Sequence, residues 1–173
     1  VIIMAKLKLG YHKLNENAKD PYFATKGSAC FDLHACFEGV TKYKVRQDTL
    51  DREIERPVRN GTIQIFNMER ILIPTGLVLD IPDGYSVRLH SRSGLAWKEG
   101  LYLTNCEGVI DWDYVDPVFV MMTNISQSPK TIKHGDRICQ AELVERLTYD
   151  LVQVDNAPES KTDRDGGFGS TGV

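Results

Sequence analysis

An all-β sandwich or jelly roll is the fold class this sequence predicts, on three observations. Short segments alternate apolar and polar residues with a period of two, turn-forming residues recur between them, and no segment carries the longer apolar period of an amphipathic helix. The length of 173 residues suits one domain, 1–173, with an ordinary core. That core is expected over about residues 5–157, with a further stretch at 41–63 and a Gly-rich arm at 158–173.

Taken in order, residues 6–9 (Lys-Leu-Lys-Leu) alternate as a half-buried strand does, and residues 15–27 are polar and carry Asp20-Pro21, a loop. Residues 29–37 predict a strand with Phe31, Leu33 and Ala35 on one face and Asp32 and His34 on the other. The charged run 42–56 reads, over 48–56, as a helical turn or a disordered excursion. Asn60-Gly61 marks a tight turn, because both residues accept the positive φ such turns need. Strands are predicted at 62–68, at 71–81 with a break at Pro74 and Gly76, and at 85–90 after the Asp83-Gly84 turn. One helical turn fits 93–98, a buried strand fits the apolar run 118–122, and two last strands fit 138–147 and 149–154. Beyond Ala157 the residues are too polar and Gly-rich to add to a core.

Composition excludes several classes. There are 24 acidic residues against 21 basic ones, a formal net charge of −3, which argues against a protein that coats nucleic acid or a membrane surface. No apolar run approaches the roughly 20 residues that span a bilayer. The opening Val1-Ile2-Ile3 before Met4 is too short for a signal peptide, and Met4 reads as the natural start. Cys30, Cys36, Cys106 and Cys139 are scattered without C-x-x-C spacing. Buried reduced thiols and a cytoplasmic setting (a host's cytoplasm for a viral protein) follow more simply than a disulfide framework or a structural zinc.

Four segments and one strand end carry residues of catalytic type. Asp32, within Ala29-Cys30-Phe31-Asp32-Leu33, is by itself an ordinary strand acid. Ser91-Arg92-Ser93-Gly94-Leu95-Ala96 joins a hydroxyl, a guanidinium and free N–H groups at a helical start; it suits a phosphate as well as a plain helix cap. Gln140, after Gly135-Asp136, reads by default as a surface residue. Gly166-Gly167-Phe168-Gly169-Ser170-Thr171-Gly172 lacks the Lys of a P-loop, yet its Phe could stack on a base. At the strand end, Val109 and Ile110 lead into Asp111 and Asp113, with Tyr114 following; two acids two apart in a strand share a face unless the chain turns. A simple turn is the bland alternative there.

In this order the segments resemble the five motifs of the trimeric dUTPases, over about residues 29–172, with Gly108-Val109-Ile110-Asp111-Trp112-Asp113-Tyr114 among the most specific parts and Pro74-Thr75-Gly76-Leu77 also similar to a family strand. The resemblance implies a distorted jelly-roll subunit in a homotrimer whose active sites are shared between chains. It further implies hydrolysis of dUTP to dUMP and pyrophosphate, keeping dUTP low and supplying dUMP for dTTP synthesis, with Mg²⁺ on the triphosphate. Asp111 would orient and deprotonate the attacking water. Tyr114 would lie under the deoxyribose, and Asn105 with the backbone of Val109, Ile110 and Asp111 would read the uracil edge. Arg92, Ser93, Gly94 and Gln140 would hold phosphates, and Asp32 would reach the metal through water. Phe168 would cover the uracil, while Arg164, Gly169, Ser170 and Thr171 would close on the phosphates.

Three departures stand out: Val115-Asp116-Pro117 replaces an Arg or Gln followed by Gly, the spacing 163–167 is one residue short, and 41–63 has no counterpart. That last stretch is expected as an exposed hairpin away from the site and a possible surface for a protein partner. Of two other readings, a dCTP deaminase relative lacks an acid between Asp116 and Asp136 to shuttle protons; a nucleotide-gated regulator is compatible with hydrolysis. Direct nucleic-acid binding is not expected.

Overall fold

A computed structural model describes residues 6–163. Its strands are β1 (Gly10–Lys13), β2 (Phe31–His34), β3 (Lys42–Gln47), β4 (Arg52–Pro57), β5 (Thr62–Ile65), β6 (Glu69–Pro74), β7 (Leu77–Asp80), β8 (Tyr85–His90), β9 (Leu101–Leu103), β10 (Glu107–Asp111), β11 (Phe119–Asn124), β12 (Lys130–Lys133) and β13 (Arg137–Glu145). A 3-10 turn at Asp48–Leu50 and a π-turn at Leu95–Glu99 are the helical pieces among the described residues. One sheet has the order β10-β8-β13-β2 and a second β4-β3-β6-β11-β9, with the pairs β1-β7 and β12-β5 beside them. All these pairings are antiparallel. Neighbours far apart in sequence, such as β2 and β13, give the crossing connections of a jelly roll.

Period-two alternation fills the space between the sheets. Val45, Ile71, Ile73, Val120 and Met122 point in from the five-stranded sheet, and Leu33, Val87, Leu89, Ile138 and Ala141 from the other; all belong to one buried cluster. The predicted break at Gly76 is the corner between β6 and β7. Gly76 has φ +70, and a Cβ there would stand 2.8 Å from Cys36 Sγ, so both conformation and space demand glycine.

Over 48–56 the helical turn is confined to the 3-10 turn Asp48–Leu50 and the rest is strand rather than a disordered excursion, so the hairpin expected within 41–63 is β3–β4 with that turn at its tip. Tyr43 and Val45 are buried beneath it, and β3 pairs with β6, so the hairpin extends the sheet. A buried carboxylate ties it down. Glu69, 4 % exposed, accepts from Arg56 Nη1 at 2.6 Å, from Gln47 Nε2 at 2.7 Å and from the Phe66 N–H at 3.0 Å, and pairs with Arg56 Nη2 as well. Burial alone would push the Glu69 carboxyl up; the donors from Arg56, Gln47 and Phe66 outweigh it and hold the carboxyl below its usual value. The Arg56 guanidinium also lies 4.6 Å from the Phe66 ring centre.

Two predicted strands are absent as such. Residues 6–9 carry no strand; the ladder with β7 starts at Gly10, where the missing side chain lets Asp80 approach (a Cβ would sit 2.9 Å from Asp80 Cβ). Residues 149–154 are rich in β-forming residues, yet no strand pairs with them among the described residues, and Leu151 is 92 % exposed. The packed part of the chain therefore ends with β13, short of residue 157. At Asn60-Gly61 both residues have the expected positive φ (50 and 66), and Arg59 and Thr62 close the turn. β5 then leaves to pair with β12 rather than β4.

His34 supplies a pH dependence. It is buried, stacked on Tyr22 at 5.5 Å, and its Nδ1 has no hydrogen-bond partner. Burial pushes its pKa below the usual 6.5; Asp32 opposes this, and Arg137, Lys19 and Arg92 add to it. The unfolded chain thus takes up this proton before the folded one does, so the contribution to stability is full above pH 6.5 and is lost as pH falls from there toward the lower folded value. Thermal unfolding at pH values above and below this window should show the drop, with a slope of at most about 1.4 kcal/mol per pH unit. His34→Phe should flatten it; an unchanged slope in that variant would contradict the assignment.

Candidate active site

The turn between β9 and β10 presents Asn105. Cys106 takes a left-handed φ of 61, its N–H donates to Leu103 O at 3.1 Å, and the Glu107 N–H donates to Asn105 O at 2.6 Å. β10 then runs closely against β8. Gly108 lies opposite Leu89, and a Cβ at Gly108 would stand 2.9 Å from Leu89 Cβ, so glycine sets that spacing. Past β10 the chain turns: the Tyr114 N–H donates to Asp111 O at 3.1 Å and Tyr114 Oη donates to Pro117 O at 3.0 Å. Asn105, Val109, Ile110 and Tyr114, with Leu89 and Gly108, thereby line a cavity of about 230 Å³. Asp111 directly follows Ile110 of this wall, is the last residue of β10, and is exposed. Asp113 lies in the turn, so the two acids do not share a strand face. Asp116 is exposed, and the Tyr114–Pro117 bond shows how the turn is rebuilt around Val115-Asp116-Pro117.

A second group forms where β2, β13 and the segment after β8 meet. Asp32 is buried and paired with Arg92 Nε at 3.3 Å and Arg137 Nη1 at 3.2 Å. Arg92 Nη1 also donates to Arg137 O at 3.1 Å, and Gln140 Nε2 to Ser91 O at 3.2 Å. Ser91 Oγ accepts the Leu103 N–H at 2.9 Å, which links this segment to the strand leading to Asn105. Ser93 is exposed, as is Gly94, which opens the π-turn predicted as a helical turn. Beside them Arg92, Arg137 and Lys130 line a polar cavity of about 440 Å³, with Asp136 and Glu99 on its wall. Its three cations are each paired with a carboxylate, Lys130 with Glu99 at 2.9 Å and Arg92 and Arg137 with Asp32, so an anion entering there would exchange with those partners.

Arg137 was not among the residues nominated from sequence. On a regular strand, residues three apart face opposite ways. A bulge between Arg137 and Cys139 shifts the register, so that Arg137 stands opposite His34 and Gln140 opposite Asp32. Ile138 and Cys139 are both buried, as that extra residue requires, and Arg137 and Gln140 both serve the Asp32 group. The turn signal Gly135-Asp136 was the only sequence hint.

The cavity residues run along β10, with Asn105 beyond Glu107, which faces His90, and Asp111 at the far end opposite Ser86. Gln140 is opposite His90 and Asp32 opposite Gln140, so Asp111 alone stands apart from the second group, four residues of strand or about 13 Å along β8. Of the residues nominated from sequence, Asn105, Val109, Ile110 and Tyr114 are gathered at one place, with Asp111 at its edge, and Asp32, Arg92 and Gln140 at another, with Ser93 and Gly94 following on. Arg164, Phe168, Gly169, Ser170 and Thr171 lie outside the described residues.

A jelly roll that offers a small cavity with an amide at its wall, an exposed carboxylate at its edge and a separate cationic pocket is a nucleotide-handling β fold. The sequence profile of the dUTPase family matches residues 57–172. A deoxyuridine 5'-triphosphate nucleotidohydrolase of Hydrogenobaculum sp. is 35 % identical over 96 % of this chain and 99 % of its own length; that of Finegoldia magna is 42 % identical over 88 % and 90 %. Among solved structures, the Staphylococcus bacteriophage 80alpha dUTPase with dUpNHpp superposes with a TM-score of 0.74 at 22 % identity, over 97 % of this chain and 100 % of that one. The chain belongs to the dUTPase family.

Proposed function

We propose that this dUTPase-family enzyme cleaves dUTP to dUMP and pyrophosphate by water attack on the α-phosphorus, in a homotrimer whose active sites are completed by neighbouring copies. The carrying observation is the separation just described. Asp111 and the Asp32–Gln140 pair lie about 13 Å apart along β8, and β8 and β13 separate the strands of Asp111 and Asp32, which disfavours one triphosphate meeting both within a chain. Bringing the Asp111 end of one copy to the cationic end of another removes that gap. Uncovered apolar surface supports association: Leu72, Phe119 and Met121 are exposed on the outer face of the five-stranded sheet, and Leu147, Leu151 and Val152 beyond β13.

In this reading the Asn105 amide and the backbone of Val109 to Asp111 hold the uracil edge. Fixed groups reject cytosine because its amino donor would be left unpaired. Tyr114, fastened to Pro117 O, bounds the sugar side and excludes a 2'-hydroxyl. Asp111 takes the proton of the attacking water, and its exposed position at the edge of the cavity suits that task. Arg92, Ser93, Gly94, Gln140 and Arg137 neutralise phosphate oxygens. Arg164, Phe168, Gly169, Ser170 and Thr171 are assigned to closing the site.

The donor set also fits Mg²⁺. A single buried carboxylate, Asp32, stands among phosphate-binding groups without a dense acidic cluster, as expected for an ion held mainly by phosphate oxygens and waters. Asp32 would reach it through water, and the ion, when bound, neutralises charge on the triphosphate. A dUTPase from phage phi11 of S. aureus coordinates a structural Mg(II) ion. The cytoplasm, where free thiols persist, is the setting this reading takes. Hairpin β3–β4 offers little to a charged partner, since Lys42–Glu55, Lys44–Glu53 and Arg46–Asp51 pair with one another.

Mixing tests the sharing of sites. Asp111→Asn and Arg92→Ala should each be nearly inactive alone. Unfolded and refolded together, they should regain a substantial fraction of wild-type activity, because mixed trimers contain sites that draw Asp111 from one variant and Arg92 from the other. No recovery from mixtures that sediment as trimers would mean that each site lies within one chain.

A further inference from the structure

We propose that Cys30, His90 and Glu142 form a binding site for a soft divalent cation of the Zn²⁺ type, distinct from the Mg²⁺ of the reaction. The three residues come from neighbouring segments of one sheet: Cys30 just before β2, His90 at the end of β8, and Glu142 within β13, which lies between those strands. A sulfur, a ring nitrogen and a carboxylate oxygen from them all lie within 4.8 Å of one another. A tetrahedral zinc, with bonds of about 2.0–2.3 Å, needs its ligand atoms roughly 3.3–3.8 Å apart, a closure that side-chain rotation supplies.

A hydrogen-bonded His–Glu pair is the plainer reading, since His90 Nε2 and Glu142 Oε1 are 3.0 Å apart. It accounts for two of the three groups and leaves the thiol beside them without a role. It also leaves the far side of the imidazole, where Nδ1 is 3.8 Å from Glu107 Oε1. That distance exceeds a hydrogen bond; closing it on metal binding would let Glu107 fix the tautomer and turn the other nitrogen toward the ion. Glu107 is in turn held by Arg88 at 3.5 Å. All three candidate ligands are half-buried, which limits competition from water while leaving a path for entry. The mixture of sulfur, nitrogen and oxygen selects against Mg²⁺, which takes oxygen ligands. None of the three residues is among those assigned to the nucleotide, so the site stands or falls independently of the hydrolase reading.

The full chain, stripped with chelator and kept free of nucleotide and phosphate, should be titrated with Co²⁺ and then Zn²⁺. The expected result is one Co²⁺ per chain, a thiolate-to-cobalt charge-transfer band in the near ultraviolet, and displacement by one Zn²⁺. Cys30→Ser should abolish the band, and Glu142→Gln should weaken binding by at least about 10-fold. Glu107→Gln should keep the band and weaken binding by about 10-fold. Cys106→Ser, which alters an exposed thiol, should change neither, and circular dichroism checks that each variant is folded. A band that survives Cys30→Ser, undiminished affinity in Glu142→Gln, or a wild-type chain that binds no Co²⁺ stoichiometrically would overturn the site.

Discussion

Asp111→Asn should lower turnover of dUTP by about 10²–10⁴-fold, the usual worth of a positioned general base, while nucleotide binding largely survives. The reasoning is geometric. Asp111 ends β10 against the residues that line the base cavity, and its backbone carbonyl, not its carboxylate, accepts the Tyr114 N–H. The side chain is thus free of the turn that it begins. Amide for carboxylate preserves size and hydrogen-bonding reach but cannot accept the proton of water. Single-turnover rates measured beside dUMP affinity would separate the two effects. Near-normal turnover in Asp111→Asn would remove the proton acceptor from the mechanism.

Glu69→Ala should be the most damaging single change to stability, costing about 3–5 kcal/mol, because it leaves the Arg56 guanidinium half-buried without its counter-charge. The same change orphans the Phe66 N–H and the Gln47 amide, which both donate to Glu69. Since Arg56 and Gln47 belong to hairpin β3–β4 and Glu69 to β6, the effect should be felt as detachment of the hairpin. Urea unfolding should show the lowered midpoint, and amide exchange should show β4 losing protection first. Replacing Arg56 and Glu69 together by Met and Leu should cost much less, because no charge is then left buried alone. Equal losses for the single and double variants would mean that packing, not charge pairing, holds the hairpin.

What could be foreseen in the sequence was local. Alternation in 85–90 and the apolar run 118–122 predicted β8 and β11, and Gly76 foretold its corner, because these depend on residues adjacent in the chain. The residues from Asn105 to Tyr114 showed locally only a strand running into a turn; their place around the small cavity was expected through the resemblance to the dUTPases. A hairpin within 41–63 was expected, but its strand bounds and its union with the sheet were not, since Glu69, a partner outside it, holds it down and its charges alternate with buried Tyr43 and Val45 in a pattern that charge content obscures. Arg137 was missed because a one-residue bulge turned it to the Asp32 side. Residues 149–154 show the converse, a run of β-forming residues with no partner strand among the described residues.

Pyrophosphate release measured over dUTP, UTP, dCTP and dTTP, with and without Mg²⁺, tests the central claim most directly. A cavity of about 230 Å³ edged by Asp111 and bounded by Tyr114 predicts rapid release from dUTP with Mg²⁺, and rates lower by at least about 10²-fold for the other three nucleotides. Equal rates for dUTP and UTP, or a preference for dCTP, would contradict the assignment of that cavity to deoxyuridine.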